Sequence, residues 1–157
     1  MRVAAKAQVK IRVNFVNTST NEDPKHKYID DSGMDLRADL EESVCIEPGE
    51  IKLIPTGLHF ELPESMEIQV RPRSGLAAKN GVTVLNTPGT VDRGYIGEIK
   101  VILINLGKSK FNINHGDRIA QAVICPVITA RWSILTKKHR LDKTQRGDGG
   151  FGSTGIN

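Results

Sequence analysis

The amino-acid sequence predicts an all-β domain, a jelly roll or barrel, with one short helix and a flexible C-terminal arm. Short apolar stretches with the alternation of strands recur along the chain of 157 residues. Turns rich in glycine and proline separate these stretches. Only Ser74–Asn80 has the character of a helix. A chain of this length can bury a sizeable core as one domain, so we predict a single all-β unit.

The strands are predicted in chain order from this alternation. Apolar residues at every second position of Val9–Phe15 predict a first strand with one buried face. Glu98–Asn105 is apolar in both alternating phases, as expected of a strand buried on two sides. The other predicted strands are Met34–Ala38, Val44–Ile46, Ile51–Ile54, Gly57–Leu62, Glu67–Arg71, Val82–Leu85, Ile96–Asn105 and Arg118–Val127.

The helix and the C-terminal arm complete the predicted organisation. The helix is expected to have one or two turns, with Ser74 as its N-cap and Gly81 at its end. Five of the chain's 15 glycines lie in the nine residues Gly147–Gly155, a segment that cannot bury enough apolar surface to order itself. We therefore divide the chain into a tail (1–8), a β core (9–130), a basic connector (131–145) and a glycine-rich lid (146–157).

Charge is concentrated near the C-terminus. The formal net charge is +4, and Arg131–Arg146 holds six Lys or Arg against Asp142 alone. Such a stretch could bind nucleic acid or a phosphorylated ligand. For most of these residues, however, a solvated connector between the core and the arm is the favoured interpretation. No apolar run approaches the roughly 18 residues of a membrane span, and the basic N-terminal residues lack the apolar h-region expected of a secretory signal. We expect a cytoplasmic protein; a nuclear or organellar location stays open if the source is eukaryotic.

The cysteines and histidines do not indicate a metal site. Cys45 and Cys125 lie within apolar runs, so we interpret them as small buried hydrophobic residues and not as a disulfide or a nucleophile. The four histidines are scattered, without the spacing of zinc ligands.

The C-terminal arm has the composition of a phosphate-binding segment. Its glycines allow backbone N–H groups to turn onto phosphate oxygens, and Arg146, Ser153 and Thr154 add side-chain donors. Phe151 is the lone aromatic residue there and suits a flat partner such as a base. The arm is not a Walker loop, because Gly-Lys-Ser/Thr is missing. Disorder without a ligand role is the alternative.

Three further segments contain candidate site residues. Arg73, Ser74 and Gly75 could bind an anion where a strand meets the helix, although a simple cap is the alternative. Asp35 begins a strand after a glycine-containing loop and could hold a metal-bound water. Gln121 alternates with apolar neighbours in the last strand and could face another side. The alternative for Asp35 is a side chain that stabilises a turn, and the alternative for Gln121 is a position on the polar face of its strand.

A glycine-rich hairpin, Asn86–Glu98, joins two apolar strands. Asp92 lies in an otherwise apolar and glycine-rich setting, where it could activate a water as a general base. Tyr95 is one of only two tyrosines in the chain. Taken alone, Asp92 is better interpreted as a turn-stabilising side chain, and Tyr95 as a ring at the edge of the core.

The order of five segments resembles the five motifs of the trimeric deoxyuridine triphosphate nucleotidohydrolases (dUTPases). The resemblance runs from about residue 9 to residue 155, and the departures are small: Ser32 and Val91 replace the more common Ala and Ile without removing a functional atom. The matching segments are Ser32–Leu36, Pro72–Ala77, Asn86–Glu98, Gly116–Gln121 and Arg146–Gly155.

The resemblance implies a fold, an assembly and a reaction. The fold would be a jelly-roll-like β-barrel of the β-clip type, assembled as a homotrimer with active sites shared between subunits. The enzyme would be a Mg²⁺-dependent dUTP diphosphatase that releases dUMP and pyrophosphate by attack of water at the α-phosphorus. This activity keeps uracil out of DNA and supplies dUMP for thymidylate synthesis. No stable complex with nucleic acid or membrane is expected.

The resemblance also implies roles for individual residues. Asp92 would orient the attacking water and contact the deoxyribose 3′-hydroxyl, and Tyr95 would pack on the sugar at C2′. Mg²⁺ would bind the triphosphate and touch Asp35 only through water. Uracil would be bound at the hairpin by Asn86, Thr90, Val91, Asp92 and Lys100. The phosphates would be bound by Arg73, Ser74, Gly75 and Gln121. The arm would close over both through Arg146, Phe151, Gly152, Ser153 and Thr154.

Three other functions remain open at this point. A dCTP deaminase is similar in fold and substrate, but it would need a carboxylate base near the cytosine ring, for which Glu98 is the only nearby candidate. A non-catalytic nucleotide sensor or β-rich structural module is the second, against which the intact Asp92 argues. A basic nucleic-acid binder is the third, and it would bind bare DNA in a salt-dependent manner.

Overall fold

The computed structural model describes residues 11–136 and 144–150. Within them, one helix, α1, spans Ser74–Asn80. Eleven strands surround it in the chain: β1 (Asn14–Asn17), β2 (Gly33–Arg37), β3 (Val44–Ile46), β4 (Ile51–Pro55), β5 (Leu58–Glu61), β6 (Met66–Arg71), β7 (Val82–Val84), β8 (Gly89–Val91), β9 (Lys100–Asn105), β10 (Phe111–Ile113) and β11 (Arg118–Pro126).

The strands form four antiparallel sheets. The largest has the order β2-β11-β6-β8, and a second has the order β4-β9-β7. Strands β1 and β5 form one pair, and β3 and β10 form another. Buried side chains from both larger sheets, such as Ile68 and Val101, belong to one apolar cluster. The predicted all-β, jelly-roll-like fold is confirmed, although the described sheets are not joined into one closed hydrogen-bonded barrel.

The prediction that the strand at Glu98–Asn105 is buried on both faces is correct for one face of β9 only. Val101 and Leu103 are fully buried, whereas Ile102 and Ile104 on the other face are half-buried. Across the same sheet, Ile51, Leu53 and Leu85 are about half exposed. The outer side of the β4-β9-β7 sheet is therefore an apolar surface that the single chain leaves uncovered.

Some predicted boundaries are wrong for local reasons. Among the described residues the first strand begins at Asn14, where its pairing with β5 starts, and not at Ile11; the predicted residues 9–10 lie outside the described residues. The strand predicted from Ile96 begins at Lys100, since Tyr95 forms a turn with Asp92 and bonds the Glu98 carbonyl. Strands β8 and β10 have three residues each, too few to show a periodicity.

The helix has the predicted bounds but a different cap. Arg73 occupies the N-cap position with extended backbone angles, and Ser74 is the first helical residue. No side-chain hydrogen bond caps this end, so the predicted cap role of Ser74 is wrong. Gly81 ends the helix in the left-handed conformation (φ +70°), as its position predicts.

The cysteines differ from the prediction in their burial. Cys45 and Cys125 are both free thiols, but each is only half-buried, and Arg71 Nη2 lies 3.6 Å from Cys125 Sγ. No helix among the described residues has the length and apolar character to cross a membrane. The predicted tail (1–8), most of the connector (137–143) and the end of the lid (151–157) lie outside the described residues.

Candidate active site

A polar cleft of about 590 Å³ opens beside strands β2 and β11 and the start of α1. It is lined by all the cleft residues that the sequence predicts: Asp35, Arg73, Ser74, Gly75 and Gln121. Strand register explains their proximity, because Gln121 on β11 is paired with Asp35 on one side and with Arg71 on the other. The chain turns from β6 into the helix just beyond Arg71, which brings the Pro72–Ala77 segment to the same end of the sheet. The remaining lining residues are Lys27, Tyr28, Asp31, Ser32, Gly33 and Arg118.

Asp35 orients two arginines in this cleft. Its Oδ1 atom lies 3.1 Å from Arg73 Nε, and its Oδ2 atom lies 3.1 Å from Arg118 Nη1. Arg73 Nη1 also donates to the Arg118 carbonyl at 3.0 Å. These groups are half-exposed, so the ion pairs contribute little to stability. Their effect is to hold the Arg73 guanidinium, a planar donor suited to phosphate, in one orientation.

Arg118 is a cleft residue that the sequence reasoning missed. It is the only basic residue of the segment Gly116–Gln121, and this position was the available signal. The signal was weak because a residue's partner across the sheet, here Asp35 on β2, cannot be read from local sequence.

Gln121 is fixed by contacts on both sides. Its Nε2 donates to the Pro72 carbonyl at 2.9 Å. On the other side, a Cβ atom at Gly33 would collide with Oε1 of Gln121. The glycine of the Ser32–Leu36 segment therefore leaves room for this amide beside β2.

The hairpin forms a separate pocket of about 350 Å³. The turn is closed by the Tyr95 N–H, which donates to the Asp92 carbonyl at 3.0 Å. The Tyr95 hydroxyl donates to the Glu98 carbonyl at 2.8 Å, and a Cβ at Gly97 would lie only 2.6 Å from the ring. The predicted residues that line this pocket are Thr90, Val91, Asp92, Tyr95 and Lys100. Asn86 does not line it and instead lies beside Gly89.

Glu98 has a structural function in this pocket. Its Oε1 accepts the N–H groups of Thr56 at 3.1 Å and Gly57 at 2.9 Å. Its Oε2 lies 3.5 Å from Lys100 Nζ. A carboxylate engaged in this way joins the β4–β5 turn to the hairpin, which removes the support for Glu98 as a deaminase base. Asp92, by contrast, is exposed and forms no ion pair with another described residue.

The two pockets of one chain lie at opposite ends of β6. Val91 is paired with Ile68 near the start of β6, and the antiparallel direction carries Asp92 away from Arg73. Arg73 follows Ile68 by five residues, which corresponds to about 16 Å at 3.3 Å per residue of strand. The structure therefore does not bring Asp92 to the arginine cleft of its own chain.

The described part of the arm includes one predicted site residue, Arg146. Arg146 Nε donates to the Gly149 carbonyl at 2.8 Å, and Gly147 adopts a positive φ of 56°. Arg146 lines neither of the two pockets. The predicted arm residues Phe151, Gly152, Ser153 and Thr154 lie outside the described residues.

The donor set of the cleft suits a metal ion that is bound mainly by a substrate. Within residues 11–136 and 144–150, no three His, Cys, Asp or Glu side chains are grouped closely enough to hold a metal. Both oxygens of Asp35 already contact guanidinium groups. Mg²⁺ commonly keeps several waters and takes its remaining ligands from one or two carboxylates and substrate phosphates. An outer-sphere contact to Asp35 fits this arrangement.

Comparison with known proteins identifies the family. A family model described as dUTPase matches residues 19–155. The chain belongs to the dUTPase family. A deoxyuridine 5′-triphosphate nucleotidohydrolase from Desulfotalea psychrophila is 52% identical over 139 residues, which cover 88% of this chain and 91% of the relative. One from Gloeothece citriformis is 56% identical over 135 residues, which cover 85% and 88%.

Solved dUTPase structures share the fold. A mutant dUTPase of Staphylococcus bacteriophage 80alpha with dUpNHpp has a TM-score of 0.82 at 23% identity, covering 94% of this chain and all of that one. A mutant dUTPase of phage phi11 of S. aureus, which coordinates a structural Mg(II) ion, has a TM-score of 0.73 at 22% identity. That match covers 82% of this chain and 99% of the other.

The contact between Gly33 and Gln121 yields a first prediction. Gly33→Ala places a methyl group against the end of the Gln121 side chain, which must move and give up its hydrogen bond to the Pro72 carbonyl, so we expect a loss of about 1 kcal/mol of unfolding free energy. Denaturant unfolding measures this loss. Gly94→Ala is the matched control, since a Cβ there meets no atom within 4 Å.

A double variant separates this collision from a backbone effect. With Gln121 shortened to Ala, Gly33→Ala should cost less than about 0.5 kcal/mol, because the obstructing amide is gone. An equal loss in both backgrounds would contradict the steric explanation.

Proposed function

We propose that this protein is a dUTP diphosphatase that hydrolyses dUTP to dUMP and pyrophosphate with Mg²⁺. The observation that carries the proposal is the match of the dUTPase family over residues 19–155, which contains all five segments. Two pockets of different chemistry support it: an arginine-containing cleft suited to phosphates and a hairpin pocket with an exposed carboxylate, Asp92. The product dUMP would serve thymidylate synthesis, and removal of dUTP would keep uracil out of DNA.

The cleft is proposed to bind the triphosphate. Arg73, Ser74, Gly75 and Gln121 line one surface, and the first-turn N–H groups of a helix have no intrahelical partner. Asp35 holds the Arg73 guanidinium in place and would contact the water shell of Mg²⁺. The ion, when bound with the substrate, supplies positive charge that offsets the charge developing on the phosphates.

The hairpin is proposed to bind the nucleoside and to activate water. The Asp92 carboxylate would accept a proton from the water that attacks the α-phosphorus. The Tyr95 ring is held by the Glu98 carbonyl and would pack against the sugar, leaving no room for a 2′-hydroxyl. Uracil would contact the residues Asn86, Thr90, Val91 and Lys100.

We further propose a homotrimer in which neighbouring chains complete each site. One chain would supply the cleft, a second the hairpin and a third the arm, with residues 146–157 as a lid. Two observations support assembly. First, the cleft and hairpin of a single chain lie at opposite ends of β6. Second, apolar residues are left exposed on the outer face of the β4-β9-β7 sheet and after β11, as expected of surfaces that a neighbouring chain covers. These residues include Ile51, Leu53, Leu85, Ile128, Trp132 and Ile134. The expected cytoplasmic location stays a prediction.

Substrate choice tests the proposed reaction. Pyrophosphate release should be far faster with dUTP than with UTP, dTTP or dCTP, because a site shaped for one group loses about 10–200-fold for each small mismatch. The four nucleotides are compared side by side with Mg²⁺. Equal turnover of dUTP and UTP would contradict the role of Tyr95, and ammonia release from dCTP would indicate the deaminase instead.

The role of Asp92 has its own prediction. Asp92→Asn keeps the shape of the side chain but removes the proton acceptor, so kcat should fall about 10²–10⁴-fold while dUTP binding is largely kept. Asp30→Asn, at an exposed acid outside both pockets, is the matched control and should keep full activity. A change in kcat of less than about threefold in Asp92→Asn would show that Asp92 is only a turn residue.

A further inference from the structure

A lysine outside the five family segments lines the phosphate cleft. Lys27 precedes the Ser32–Leu36 segment and borders the cleft together with Tyr28 and Asp31. It also lines a neighbouring cavity of about 370 Å³, which shares Asp35 and Arg118 with the cleft. Lys27 therefore lies on the wall between the two cavities.

The backbone next to Lys27 is fixed by a closed turn. The Tyr28 N–H donates to Asp31 Oδ2 at 2.8 Å, and the Asp31 N–H donates to the Tyr28 carbonyl at 3.2 Å. The Lys27 ammonium lies 5.4 Å from the centre of the Tyr28 ring, within the range of a cation–π contact. The loop thus presents this cation at the rim of the cleft.

The charges of the cleft leave Lys27 available to an anion. Arg73 and Arg118 both contact Asp35, so much of their charge is compensated within the protein. Lys27 forms no ion pair with another described residue. Lys25, two residues earlier, differs: its Nζ lies 3.0 Å from Glu22 Oε2, and this contact lowers the pKa of the Glu22 carboxyl.

We propose that Lys27 is a further substrate-binding residue, whose ammonium contacts the polyphosphate chain opposite Arg73. The role within catalysis rests on the proposed function, since dUTP supplies the polyphosphate. A polyphosphate carries several negative charges, and a flexible ammonium is a strong donor for its oxygens. The cation–π contact with Tyr28 would be exchanged for a charge-assisted hydrogen bond when the anion enters.

Binding of inorganic pyrophosphate, measured by calorimetry with Mg²⁺ on the full chain, tests this role without any turnover. Lys27→Gln should weaken pyrophosphate binding about tenfold, the loss of one charge-assisted contact. Lys27→Arg should restore most of the affinity. Lys25→Gln is the matched control and should change the affinity less than about twofold, because exposed paired charges contribute little.

Kinetics then connect the residue to the reaction. For dUTP, Lys27→Gln should raise KM with little change in kcat, as expected when a contact present in both ground and transition state is lost. Unaltered pyrophosphate binding in Lys27→Gln, or an equal loss in Lys25→Gln, would overturn the proposal. If the wild-type protein binds pyrophosphate through Lys27 but does not hydrolyse dUTP, the proposed function fails and the anion-binding role stands.

Discussion

The antiparallel pairing of β8 with β6 determines where chemistry can occur in this protein. It places Asp92 beyond one end of β6, while Arg73 follows the other end. No side-chain rotation can span the resulting separation of about 16 Å, because an Asp or Arg side chain reaches only a fraction of it. The proposed homotrimer, in which the cleft of one chain works with the hairpin of another, would bring both groups to one phosphorus atom. In that proposal, the need for assembly follows from this strand register.

Each of the two pockets is held in shape by hydrogen bonds and ion pairs within the protein. In the cleft, Asp35 and the Arg118 carbonyl orient the Arg73 guanidinium. In the hairpin, the Glu98 carbonyl holds the Tyr95 hydroxyl, while the Glu98 carboxylate is anchored to the β4–β5 turn. Donors that are oriented before the substrate arrives need little reorganisation during the reaction, which is the usual origin of electrostatic stabilisation in enzymes.

Local patterns in the sequence predicted much of this structure. The helix bounds and most strands follow from periodicity and from turn residues such as Gly81, and the five predicted cleft residues do lie together. The sequence could not reveal the contacts that join distant segments. Arg118 on β11 forms an ion pair with Asp35 on the neighbouring strand β2, and the Glu98 carboxylate accepts a hydrogen bond from the Gly57 N–H.

Other differences arise where two local preferences compete. Ser74 is a good N-cap by residue type, but the chain leaves β6 in an extended conformation up to Arg73, which takes the cap position. The cysteines lie in apolar runs of sequence, but each is on a strand whose face at that position is only partly covered within the chain, and both are half-buried.

Complementation between two inactive variants tests the shared site most directly. Arg73→Gln impairs the cleft, Asp92→Asn impairs the hairpin, and each homogeneous protein should be nearly inactive. If a cleft works with the hairpin of the next chain, every mixed trimer contains one site with both elements intact, whichever variant is in the majority. Co-refolding should therefore restore dUTP hydrolysis to about a third of the wild-type rate per mixed trimer. Absence of recovery, with mixed trimers verified by native mass spectrometry, would contradict the shared site.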